Sequence, residues 1–132
     1  MKSCLLLIAF VLINQLGYAQ VYKFRTIASW SSYKDANYKW TKLQKEKNGA
    51  NILVVVDETN DKVSIYTGND KNLSIIDSEF GQDEKGSFVK YTCIDDENIK
   101  CTVTTTTKKD SREVFMTLLW EDTKVVYMLG RE

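Results

Sequence analysis

The sequence predicts an all-β domain, an antiparallel meander of about eight strands closing as a small barrel or a two-layer sandwich. Three observations predict it. Short runs of β-branched and aromatic residues recur along the chain, separated by polar turns. Helical periodicity of 3.6 residues is weak throughout. Most neighbouring runs are joined by connections short enough for hairpins, the simplest way to pair strands antiparallel.

The first nineteen residues stand apart from this pattern. Lys2 is followed by an unbroken apolar run of ten, residues 4–13, and then by Gly17, Tyr18 and Ala19. That order of charge, apolar core and small residues is the mark of a secretory signal peptide cut after Ala19. Ten helical residues rise only about 15 Å against a bilayer core of about 30 Å, so the run is too short to span. A lipoprotein would need a cysteine at the cut, and Cys4 lies at the wrong end of the run. The expected product is residues 20–132, a single β domain that is secreted or periplasmic, with no membrane insertion after cleavage. Removing 19 of the 132 residues leaves 113, enough to bury roughly two-thirds of the unfolded chain's surface.

The whole chain has 18 basic and 18 acidic side chains, and neither histidine nor proline. Without Lys2 the net charge becomes −1, from 17 basic against 18 acidic side chains. Such a balance argues against nucleic acid as a partner. The lack of histidine removes the usual neutral-pH proton carrier and the commonest metal ligand.

Residues 21–30 alternate as one half-buried strand, with Tyr22, Phe24, Thr26, Ala28 and Trp30 on one face. Residues 31–37 read as a loop and 38–44 as a second strand, with a short helix as the competing assignment. Residues 52–57 and 62–67 form the clearest hairpin. Asp57 faces Lys62, Val56 faces Val63 and Val54 faces Ile65, which makes one face almost wholly apolar and fixes the register. Residues 73–77 make a short strand and 81–86 an acidic loop. Residues 87–95 with 99–107, and 113–120 with 124–129, complete two further hairpins.

Cys93 and Cys101 are the cysteines that remain after processing. A three-residue loop, Asp96-Glu97-Asn98, sets Asp95 opposite Ile99 and Cys93 opposite Cys101, and Asn98 suits the left-handed third position of such a loop. The apolar pattern selects the same register. In an oxidising compartment the pair is expected to form a disulfide, the alternative being two buried thiols. Seven intervening residues, against the two of a C-x-x-C motif, argue against redox catalysis.

Trp30, Tyr33, Tyr38 and Trp40 gather aromatics around one polar loop and form the candidate ligand-binding set, either stacking on a sugar or lining a barrel mouth. The same residues serve equally as a plug for the core. Asp95, Asp96, Glu97 and Asn98, and likewise Asp57, Glu58, Asn60 and Asp61, cluster oxygens at hairpin tips. Neither has EF-hand spacing, and turns favour Asp and Asn for backbone reasons, so no metal site or cofactor is expected. The threonine run 104–107 and the lysines around residues 39–47 read as solvated faces. No nucleophile has a histidine to activate it and no catalytic residue is assigned.

The signal ending Tyr18-Ala19-Gln20, Trp40, the run Ile52-Leu53-Val54-Val55-Val56-Asp57 and the run Lys62-Val63-Ser64-Ile65-Tyr66 give the first half of the chain a pattern that resembles short exported β proteins of Bacteroidota. The resemblance implies no activity and no functional residues. The leading expectation is a non-enzymatic binding or interaction module for an unknown protein or small ligand. A lipocalin-like carrier of an apolar ligand and a small hydrolase using carboxylates are the alternatives.

Overall fold

A computed structural model describes residues 20–111 and 113–131. The expected signal segment lies outside the described residues. Nine strands follow in order: β1 (Val21–Tyr33), β2 (Gln44–Lys45), β3 (Leu53–Asp57), β4 (Lys62–Tyr66), β5 (Lys71–Asp83), β6 (Gly86–Ile94), β7 (Lys100–Lys108), β8 (Val114–Leu119) and β9 (Thr123–Arg131). Each of β3 to β9 pairs antiparallel with its sequence neighbour, and β9 pairs back onto β1. The meander therefore closes as an eight-strand barrel, with β2 added on the edge of β1. Closure removes the free edges that an open sheet would expose.

The alternation of the strands decides what fills the lumen. Val54, Val63, Ile65, Leu73, Cys93, Val103, Met116 and Leu118 all point inward and are under 2% exposed. An eight-strand barrel is just wide enough for side chains to fill it, and here they do. Tyr91, Tyr127, Leu129 and Phe24 extend this core toward the two ends.

Two bulges adjust the alternation. In β1 the register to β9 slips between Thr26 and Ala28, leaving Ile27 unpaired. Thr26 faces inward opposite Leu129, yet after the bulge it is Ser29, opposite Tyr127, that faces the lumen. Trp30 is carried to the outer wall, opposite Val126. The expected single apolar face from Tyr22 to Trp30 is thus broken in its middle. A second bulge, at Ile76, lets β5 run on to Asp83, so Gly81 to Asp83 belong to a strand and the acidic turn shrinks to Glu84 and Lys85.

The expected strand over residues 38–44 is replaced by a hydrogen-bonded turn and the two-residue β2. The Asp35 carboxylate accepts from the backbone N–H groups of Asn37 and Lys39 at 2.8 and 3.1 Å, and Tyr38 takes a left-handed φ of 60°. That local capping competes with an extended backbone and prevails.

The register of β6 on β7 is the expected one, with Cys93 opposite Cys101 and Asn98 at a φ of 64°. The disulfide expectation is corrected: both cysteines are buried free thiols. Asp95 N–H donates to the Ile99 carbonyl at 3.0 Å, so by alternation Cys93 and Cys101 also form a hydrogen-bonded pair, the wider kind. Facing Cβ atoms in such ladders sit about 4.5–5.5 Å apart, whereas a disulfide wants about 3.5–4.5 Å. Burial pushes the thiols up to about 12 for Cys93 and about 11 for Cys101.

Candidate functional site at the barrel mouth

The end of the barrel where β1 finishes carries the longest connection, residues 34–52. β3 pairs with β1 only as far as Arg25, so beyond that point the wall needs another partner. Residues 44–52 supply it. Thr26 fastens this segment: its Oγ1 donates to the Gly49 carbonyl at 2.7 Å and accepts from the Ile52 N–H at 2.9 Å. Glu46 N–H donates to the Ser29 carbonyl at 2.9 Å, and the Ser31 hydroxyl donates to a Glu46 carboxylate oxygen at 2.7 Å. Gly49 is required here, because a Cβ would lie 2.1 Å from the Ser29 Oγ and 2.9 Å from its backbone nitrogen.

Between this segment and the strand ends opens a cleft of about 560 Å³, whose lining includes Ser29, Glu46, Thr67, Lys71, Val125 and Tyr127. The exposed Lys45 and Lys47 and the half-buried Ile52 and Val125 also line it. Ser29 is 2% and Tyr127 4% exposed. Among the described residues neither hydroxyl has a hydrogen-bond partner. Burial, and then the Glu46 carboxylate, pushes Tyr127 above the ordinary phenol value. It is therefore a neutral hydroxyl at physiological pH, able both to donate and to accept.

Two further clefts adjoin it, of about 370 and 490 Å³, and Lys71 lines all three. These two share Asp95, Glu97 and Trp120. The Trp120 indole N–H donates to the Asp95 carboxylate at 3.3 Å. The other oxygen of Asp95 accepts from the N–H groups of Glu97 and Ile99, both at 2.9 Å. The Ile99 N–H above all, with help from Glu97 and Trp120, holds this carboxyl below the usual carboxylate range. The Asp57 tip is built alike, with its carboxylate accepting from the N–H groups of Thr59 and Asn60. Both acidic tips thus use their first aspartate to close a turn.

The aromatic set falls elsewhere. Tyr33 is 62% and Tyr38 84% exposed. Trp40 lies on the outer wall with the ammonium groups of Lys34 and Lys124 at 5.4 and 5.1 Å from its ring centroid, cation–π contacts that hold it against the strands. Trp30 is half-buried on the same outward face. The structure joins Trp40 to two lysines, while the three mouth clefts are lined by other residues.

Ser29, Lys71, Trp120 and Tyr127 carry no signal as sequence. Ser29 and Tyr127 are ninety-eight positions apart, and they meet only because β9 closes on β1.

Comparison of the chain with protein-family models, with curated proteins and with solved structures returns no match.

Proposed function

We propose that the protein is an exported, non-enzymatic binding module whose ligand seat is the polar mouth of the barrel. The observation that carries this reading is the pair of buried, unpartnered hydroxyls of Ser29 and Tyr127 on the wall of an open cleft. A buried hydroxyl without a partner costs roughly 1–3 kcal/mol, and a ligand that hydrogen-bonds to it recovers that cost. The cleft volume falls within the range of small-molecule sites, about 300–1,000 Å³. The export signal expected from residues 1–19 of the sequence supports a role outside the cytoplasm.

The apolar-carrier reading finds less support. A carrier needs an apolar chamber, and the middle of this barrel is filled by Ile65, Leu73, Met116 and Leu118. The carboxylate-hydrolase reading names no residues of its own; of the carboxylates that line the mouth clefts, Asp95 is engaged in its own turn.

The test is amide chemical-shift mapping of the purified protein against a panel of small neutral, anionic and cationic metabolite-like compounds. Saturable shifts clustered on Ser29, Lys71, Trp120 and Tyr127 are expected. Shifts confined to the opposite end, at the small apolar pocket of about 150 Å³ between Phe24 and Tyr91, would overturn the assignment of the seat.

A further inference from the structure

We infer that the mouth cleft takes a small hydroxylated anion of the sugar-acid class. This rests on the reading of the mouth as a ligand seat and adds the chemistry that it selects.

Charge is the first argument. Lys45, Lys47 and Lys71 line the 560 Å³ cleft against a single carboxylate, Glu46, while Asp70, Asp95, Asp96 and Glu97 line the neighbouring cleft that shares Lys71. Among the described residues none of these lysines is engaged in an ion pair. An anion entering the cleft meets three lysines and one carboxylate, Glu46, beside Tyr127, so its charged group must sit toward the lysines and its hydroxyls toward Glu46. Because the lysines lie near solvent, their attraction is screened by salt, over about 8 Å at physiological ionic strength.

The hydroxyls are the second argument. Inorganic phosphate carries only one or two hydroxyls at neutral pH and no ring, so Ser29 and Tyr127 would serve it mainly by donation. Each of these hydroxyls also has acceptor capacity. The Glu46 carboxylate is a pure acceptor, and it is held in place by the Ser31 hydroxyl and by its own N–H on the Ser29 carbonyl. A ligand that presents hydroxyl donors as well as a charge uses all of these groups. The apolar side chains of Ile52 and Val125 in the lining suit the C–H face of a sugar ring. Hydroxyls that donate and accept, apolar side chains in the lining and three lysines against one carboxylate in this cleft together describe a sugar carrying a carboxylate.

The experiment titrates purified protein with sodium D-glucuronate, D-glucose and inorganic phosphate, followed by amide chemical shifts and calorimetry. Glucuronate is expected to saturate with shifts at Ser29, Lys71 and Tyr127, at least tenfold tighter than glucose or phosphate. Raising sodium chloride should weaken it several-fold. Lys71→Gln should weaken it about fivefold or more, with Lys47→Gln, at an exposed position, as a second variant. Tyr127→Phe should weaken it about threefold. Equal affinity for phosphate would overturn the inference, since the cleft would then be a cation patch. Equal affinity for glucose would overturn it by removing charge selection. Shifts at the mouth with other compounds but not with glucuronate would overturn the ligand class and leave the seat standing. No shift with any compound would overturn both.

Discussion

Ser29 stands directly opposite Tyr127 across the β1–β9 seam, both facing inward and both without a hydrogen-bond partner among the described residues. Buried polar groups in native proteins are almost always paired, so two adjacent exceptions ask for a reason. Their cost to the fold is separable from their use. Ser29→Ala and Tyr127→Phe each delete an unsatisfied hydroxyl with little change in shape. Each variant is expected to match the parent in stability or exceed it by up to about 1 kcal/mol in urea unfolding. A loss of more than about 1 kcal/mol in either would mean that the hydroxyls are engaged within the protein.

Tyr91 predicts the opposite outcome. Its hydroxyl donates to a Glu58 carboxylate oxygen at 2.9 Å. Tyr91→Phe is expected to cost about 1 kcal/mol. Burial first, and then Glu58, raise the Tyr91 phenol above its ordinary value of 10.0. A raised native value means that the neutral phenol is favoured by folding. Its contribution is full below about pH 10 and is lost as pH rises toward the native value. Unfolding midpoints measured from pH 8 to pH 11 should therefore fall less steeply in Tyr91→Phe than in the parent. Parallel slopes would show that neither burial nor the carboxylate raises the Tyr91 phenol in the folded protein.

Thr26 is the fastening of the mouth. Its hydroxyl serves the Gly49 carbonyl and the Ile52 N–H at once. Thr26→Val keeps the shape and strands both backbone groups, an expected loss of about 1–3 kcal/mol. Amide exchange should place the effect, with the Ile52 N–H losing protection while the Val54 N–H keeps its own. Unchanged protection at Ile52 would show that the segment 44–52 is held by other contacts.

Cys93 and Cys101 should be silent while the protein is folded. With thiols pushed up to about 12 and about 11, the reactive thiolate is scarce at neutral pH. Alkylation of unreduced protein at pH 8 is expected to leave both untouched, and denaturation to expose both. A denatured, unreduced sample that refuses two adducts and weighs two hydrogens less would establish a bridge in place of the thiols.

The parts of the fold that were legible in the sequence are those set by local rules. The β3–β4 register follows from alternating valines, and the β6–β7 register from a three-residue loop ending in Asn98. Two things escaped. Ile27 is apolar, so inserting it into β1 leaves the composition of the strand unremarked while it turns Trp30 outward and Ser29 inward. Closure of β9 on β1 joins the two ends of the described chain, and no short-range pattern encodes such a pairing. The mouth depends on both, which is why Ser29 and Tyr127 could not be brought together from the sequence, where the aromatics of residues 30–40 stand out instead.

The two bulges have a bearing on what the chain can lose. Ile27 and Ile76 are both unpaired in their ladders and both more than half exposed. At each bulge two successive residues share the outer side, so one of them is spare. Deleting Ile27 would restore plain alternation from Thr26 through Ala28 to Ser29 and leave Ser29 opposite Tyr127. Deleting a residue from the regular β9 ladder beside it would instead turn every later side chain inside out. In β1 and β5 the barrel thus holds one residue of slack each, at positions where shortening the chain preserves which side chains see the lumen.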